Sequence, residues 1–229
     1  MIWLLFILLS FLMVIEGCTS IARKSGYSIK NPAAGFVFQN SLSLLSRVMV
    51  FVFMPLLGYL ADTNSLAATM SHLIILFLPT PILLCVIYFF RFKIENLITI
   101  LLYRINTHGS FFKKVNHEFT IKRNKKYILT KFKSLYGSFV LAYIPFYLAW
   151  PVTVLLITEF NDYRATIIGL SSIFNGLNTI YITLFLDPKL TQLGNYPNII
   201  NSLYSDLLIL RVLSAAIALA FIPLLMIFI

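Results

Sequence analysis

The chain has 229 residues, 59% hydrophobic and 11% charged, an apolar share well above that of soluble domains. Several apolar runs of about 20 residues mark a polytopic membrane protein, an all-α helix bundle forming a single integral membrane domain with no separate soluble part. The net charge of +10 does not argue for nucleic acid as a partner, because most basic residues lie in loops between the apolar runs, where they set topology.

The first span covers about residues 2–17 and ends at Glu16-Gly17-Cys18. A lipoprotein signal cleaved before Cys18 would carry basic residues ahead of the apolar run and a small or uncharged residue where Glu16 stands, so an uncleaved helix is expected. Arg23, Lys24 and Lys30 follow in a loop closed by Asn31-Pro32. The second span, about 33–61, is polar on one side of its first half (Gln39, Asn40, Ser43, Ser46, Arg47) and apolar from Val48 to Leu60 around Pro55. Arg47 lies about 21 Å into this helix, too deep for easy snorkelling. An intramembrane arginine is costly and marks a functional site by default; the competing reading is a structural ion pair with Glu16 or Asp187.

Asp62 to Ser71 is a loop without Lys or Arg, and the third span, about 72–90, is expected to kink at Pro79 and Pro81. Residues 91–133 are the one long non-spanning segment. Within it Ile94, Leu97, Ile98, Leu101, Leu102 and Ile105 recur at helical spacing, as in an amphipathic helix lying at the membrane interface. The basic tract from Lys113 to Lys133 suits topology and attraction to anionic lipid. The fourth span, about 135–157, holds Pro145 and Pro151 and is aromatic-rich at Tyr143, Tyr147 and Trp150.

The fifth span, about 164–187, organises the rest. On a helical wheel Leu170, Ile173, Phe174, Leu177, Ile180, Tyr181, Leu184 and Phe185 fall within an arc of about 140°. Ser171, Asn175, Thr179, Thr183 and Asp187 form an i, i+4 row on the other half, about 24 Å long. Unpaired polar groups do not face hydrocarbon cheaply, so one side is expected to meet lipid and the other a polar cleft or neighbouring helices. Gly169, Ser172 and Gly176 on that inner side keep close helix packing open as a second explanation. The sixth span, about 203–229, carries Arg211 about 12 Å from its start, shallow enough to snorkel.

Six spans put both termini on one side. Of the 18 basic residues, eleven fall in the long loop, three in the first and Lys189 in the last, whereas Arg164 alone lies opposite, so the basic loops are expected in the cytoplasm and both termini outside. A cysteine introduced at Asn124 should therefore be shielded from a membrane-impermeant thiol reagent in intact cells, while one at Asn64 reacts; the reverse pattern would overturn the orientation.

Cys18 and Cys85 make no disulfide framework, His117-Glu118 has Ile121 where a zinc motif needs its second histidine, and no phosphate-binding GxxxxGK[ST] occurs. With no carboxylate pair or nucleophile–base set at usable spacing, neither a cofactor, a metal nor an enzymatic activity is expected.

Two blocks of residues resemble the alternate lipid II flippase family (Amj) of bacterial inner-membrane proteins. One is Glu16, Ala22-Arg23, Gly26, Ser41-Leu42, Ser46-Arg47 and Pro55; the other is Tyr163-Arg164-x-Thr166, Leu170-Ser171, Asn175-Gly176, Thr179-Ile180 and Asp187-Pro188. The resemblance covers most of the chain, but its middle, from about residue 63 to 160, is not specific, and Phe51 and Phe53 stand where the family pattern is more polar. The resemblance implies translocation of undecaprenyl-diphosphate-linked disaccharide-pentapeptide (lipid II) from the cytoplasmic to the periplasmic leaflet of the bacterial cytoplasmic membrane. The candidate substrate contacts are Glu16, Arg23, Arg47, Arg164, Ser171, Asn175, Thr179 and Asp187 within those blocks, and Asn40 and Arg211 outside them. The residues fit that chemistry: Arg47 and Arg211 offer forked donors to phosphate, and the row from Ser171 to Asp187 offers partners for sugar hydroxyls. Two other readings stay open, a flippase for a different polyprenyl-linked glycan and a non-transporting scaffold of envelope assembly.

Overall fold

A computed structural model of the protein describes residues 2–63, 66, 73–110, 112–113, 133–194 and 196–228. Its elements are α1 (Ile2–Ser28), α2 (Pro32–Asp62), a short α3 (Leu73–Phe77), α4 (Pro79–His108), α5 (Lys133–Glu159), a 3-10 turn (Asn161–Tyr163), α6 (Arg164–Tyr181), a π turn (Ile182–Leu186), α7 (Asp187–Leu193) and α8 (Pro197–Phe228). Six helical stretches are long and apolar enough to cross a membrane: Trp3–Ser28, Pro32–Asp62, Ile74–His108, Lys133–Glu159, Arg164–Leu193 and Ser202–Ile227. The fold is thus the all-α polytopic bundle that the composition implies.

The helix α1 forms the interior post, packed by α2, α4 and α8, while α5 joins α8 to α6. Both α1 and α4 run towards the end of the bundle where α2 starts, hereafter the basic end. This direction follows from Asn31 Nδ2 donating to Asn106 Oδ1 at 2.9 Å and from Gly17 lying against Leu84 and Ile87. The turn from α1 to α2 is a Schellman-type stop: Lys30 takes a left-handed φ of 57°, Asn31 N donates to the Gly26 carbonyl and Lys30 N to that of Tyr27. Asn31 then caps α2 by accepting from Ala34 N at 3.1 Å, with Pro32 in the first turn.

Four sequence expectations change here. First, α1 does not end near residue 17 but continues to Ser28, so Arg23 and Lys24 are buried helix residues rather than loop residues. No proline breaks that stretch, and both charges find acidic partners, Asp187 and Glu95. Second, Lys93 to Ile105 is no separate interfacial helix. It is the second half of α4, standing alongside α1, with Glu95, Ile98, Thr99 and Leu102 buried but Leu97 60% exposed, so neighbouring helices cover only part of the apolar stripe. Third, the break expected at Pro79 and Pro81 falls at Leu78, between α3 and α4 of one span, with Pro79 in the first turn of α4, where its missing N–H costs nothing. Fourth, Asp187-Pro188 does not close the fifth span. Pro188 sits in the first turn of α7, which carries the span to Leu193, and α8 begins at Pro197 rather than near Leu203. Most of the basic tract, Lys114 to Lys131, together with Asn64 and Asn124, lies outside the described residues.

The tightest contact in the bundle is between α1 and α2. A Cβ added at Gly26 would lie 2.5 Å from the Gly35 Cα, and one at Gly35 would lie 2.7 Å from the Gly26 Cα. Backbone meets backbone there, so no side chain can yield. Gly26→Ala or Gly35→Ala should force the helices apart and cost at least about 1–3 kcal/mol of packing. Size-exclusion profiles of the detergent-extracted variants should show loss of the monodisperse peak, whereas Gly137→Ala, where a Cβ meets nothing within 4 Å, should not.

Candidate functional site: polar residues of α2 and α6

Helices α2 and α6 run antiparallel and meet at the end opposite the basic one. There Gly58 faces Ile168, and Arg164 Nη1 contacts Asp62 Oδ1 at 2.7 Å and the Ala61 carbonyl at 3.2 Å. Just below, Phe53 of α2 and Trp150 of α5 pack edge to face with centroids 4.4 Å apart, both fully buried. Those contacts tie α2 to α5 and α6 in that half. Towards the basic end the seam changes character. Asn40, Arg47 and Phe51 share the face of α2 that carries Gly58, at separations of 18, 11 and 7 residues, and all three are exposed. On α6, Asn175 and Thr179 share the face of Ile168, 7 and 11 residues on. Carried along from Gly58–Ile168, the antiparallel register puts Thr179 at the height of Arg47 and Thr183 at that of Ser43.

The inner wall is α1, and it carries charge. Glu16 accepts from Ser46 Oγ at 2.6 Å, while its second carboxylate oxygen lies 3.7 Å from Arg211 Nη1. That guanidinium also donates to the Glu16 carbonyl, to Thr19 Oγ1 at 3.0 Å and to Tyr143 Oη at 2.6 Å, and it lies 4.4 Å over the Tyr143 ring. At the basic end Arg23 pairs with Asp187 and donates to Thr191 Oγ1 at 3.0 Å. Further round α1, Lys24 Nζ pairs with Glu95 Oε2 at 2.7 Å and reaches Ser205 Oγ at 3.3 Å. Buried ions persist in an apolar medium only when paired and hydrogen-bonded, and these are.

Both acidic residues proposed as ion-pair partners of Arg47 are therefore committed elsewhere, Glu16 to Arg211 and Asp187 to Arg23. Arg47 itself is exposed and has no hydrogen bond or ion pair among the described residues. The two arginines differ in their burial within the protein. Arg211 is 4% exposed and does not snorkel, because Tyr143, Thr19 and Glu16 hold it inside.

The polar row of α6 is only partly one surface. Ser171 is buried and donates to the Ile168 carbonyl at 2.7 Å, so it belongs to the packed side of the helix. Asn175 is half-buried, and its Oδ1 has no hydrogen-bond partner. Thr179 is exposed and bonds back to the Asn175 carbonyl at 2.9 Å, and Thr183 is exposed as well. Asp187 leaves the row because its N–H bonds to the Ile182 carbonyl across the π turn; the extra residue in that turn breaks the i, i+4 phase. The apolar arc holds, with Leu170, Ile173, Leu177, Ile180, Leu184 and Phe185 all exposed. Close packing does not account for the small residues, since a Cβ at Gly169 or Gly176 would meet nothing within 4 Å.

The sequence reading missed Tyr143 and Thr19 as holders of Arg211, and Lys24–Glu95 altogether. A tyrosine in an aromatic-rich span and a threonine three residues after Glu16 gave the only signal for the former. Among the described residues no three His, Cys, Asp or Glu side chains come together where they could hold a metal ion. Comparisons with protein-family models, with curated proteins and with solved structures find no match. Site and fold together make this chain a multi-pass helical membrane protein whose second and fifth spans meet at one end and carry Asn40, Arg47, Asn175 and Thr179 beyond that meeting point.

Proposed function

We propose that the protein is a flippase for a polyprenyl-diphosphate-linked glycan, with lipid II as the cargo that the sequence resemblance favours. The observation that carries this reading is Arg47, an exposed cation with no hydrogen bond or ion pair among the described residues, about halfway along α2. The cargo has an anionic diphosphate, a polar sugar-peptide head and a very long apolar tail. In this reading Arg47, Asn40, Asn175 and Thr179 take the head, while the tail stays in lipid. The half in which Phe53, Trp150 and Arg164–Asp62 tie the helices together would be the periplasmic one, so this state would receive cargo from the cytoplasmic leaflet. An inside-negative potential assists outward movement of an anion by about 2.3 kcal/mol per charge per 100 mV, without ATP. The direct test is leaflet-resolved accessibility of labelled lipid II in cells that depend on this protein alone; label confined to the inner leaflet would sink the proposal.

One observation favours a second reading, a scaffold. Among the described residues nothing lies within 4 Å of a Cβ placed at Gly169 or Gly176 of α6, a surface that would suit a partner helix. The two separate at α6: Asn175→Leu should cut transport at normal protein level, whereas Leu177→Phe on the apolar arc should be near neutral. In a scaffold Gly176→Leu would instead abolish co-purification of a partner and Asn175→Leu would be silent.

A further inference from the structure

We infer that Arg23 is a second phosphate-docking residue, at the cytoplasmic end of the polar face of α2, and that Asp187 occupies it as an internal stand-in for the diphosphate until cargo displaces it. This rests on the flippase reading. Arg23 is placed for it. The guanidinium stacks 5.3 Å from the Phe36 ring and 6.0 Å from that of Tyr204, and Phe36 is itself exposed, one turn before Asn40 and three before Arg47. A head group held by Arg23 is therefore at the foot of the polar face that leads to Arg47.

The Arg23–Asp187 pair differs from the other two inner pairs in how its carboxylate is held. Lys24 and Glu95 are sealed, with side-chain exposures of 9% and 2%, and both stand in continuous helices. Arg211 has Thr19, Tyr143 and a backbone carbonyl besides Glu16. Asp187, by contrast, has a side chain 20% exposed against 5% for Arg23, and it is the first residue after the π turn, with Pro188 next. A π turn carries one residue more than an α turn, so relaxing it rotates everything beyond it. Such a rotation withdraws Asp187 from Arg23 without unwinding α6. Exchange of one carboxylate for diphosphate oxygens keeps the buried guanidinium paired throughout, and its planar fork suits either anion. Thr191 Oγ1, 3.0 Å from Arg23 Nη2, leaves with Asp187 on the same segment.

The experiment is calorimetric binding of farnesyl diphosphate, and separately of inorganic pyrophosphate, to the full-length protein in nanodiscs of neutral lipid. Asp187→Asn keeps the shape of the side chain but removes the competing charge, and should bind farnesyl diphosphate about tenfold more tightly than the wild type. Arg23→Gln should bind more weakly, and Arg23→Gln/Asp187→Asn no more tightly than Arg23→Gln. Should Asp187→Asn fail to fold, Asp187→Ser carries the same comparison. Wild-type binding with no gain in the Asp187 variant overturns the stand-in role and leaves the flippase reading standing, as does a gain that persists without Arg23. Absence of farnesyl diphosphate binding by every form overturns both readings. Pyrophosphate binding as tightly as the prenyl compound overturns the assignment of a lipid head group.

Discussion

Replacing Glu16 or Arg211 by alanine should destabilise the bundle by about 3–5 kcal/mol, because either change strands the other member of a desolvated charge pair. The two are not equivalent. Arg211 is fully enclosed, so Glu16→Ala leaves a buried cation with only the neutral oxygens of Thr19 and Tyr143, the Glu16 carbonyl and the Tyr143 ring to hold it. Arg211→Ala leaves a carboxylate that keeps Ser46 Oγ and some exposure, but it also strands the Tyr143 hydroxyl and opens a cavity. Glu16→Gln should destabilise less than Glu16→Ala, since an amide oxygen still accepts from Ser46, but it too removes the charge opposite Arg211. The informative variant is Glu16→Gln/Arg211→Met, which removes both charges while keeping volume. Thermal unfolding of the detergent-solubilised protein should place it clearly above Arg211→Ala. A double variant no more stable than that single one would show that the charges are not a pair.

The same residues show how far the sequence could be read. Six spans were legible because apolar runs of bilayer length report their own existence whatever they pack against. Their ends were not, because an end depends on whether a charge finds a partner. Arg23 and Lys24 looked like loop residues, and only Asp187 and Glu95, far away in sequence, make it possible for them to stay inside a helix. The stretch from Ile94 to Ile105 was read as a helix of its own but continues α4, with Ile98 and Leu102 buried and Leu97 exposed; periodicity says which side is apolar but not whether lipid or protein covers it. The site behaved alike. Glu16, Arg23, Asp187 and Arg211 were all picked out, yet their pairing was not legible. Four charges on three helices can be matched in several ways, and spacing along one helix says nothing about its neighbours. The break at the π turn is invisible to a wheel drawn at constant pitch, which is why Asp187 was counted in a row it does not join.

Arg47→Ala should abolish flippase-dependent growth while leaving the protein at normal abundance. A structural ion pair would have made abundance the first casualty, but Arg47 is exposed and unpaired among the described residues, with Glu16 and Asp187 held by other arginines. Nothing buried is stranded when it goes, so a surface-type change within about 0.5 kcal/mol is expected in stability. Activity is another matter. A diphosphate crossing the apolar half of the membrane needs a cation at mid-height, and Arg47 is the residue the α2 face offers there. Arg47→Lys keeps the charge but replaces a planar two-pronged donor by a single ammonium, so it should retain a small part of the activity if phosphate is held by the fork. Leu45→Ala, two residues away and exposed away from that face, is the control that should grow normally. The measurement is growth of cells that rely on this protein, read beside immunoblot level for each variant. Normal growth of Arg47→Ala would remove Arg47 from the transport path, and loss of growth together with loss of protein would return it to a structural role.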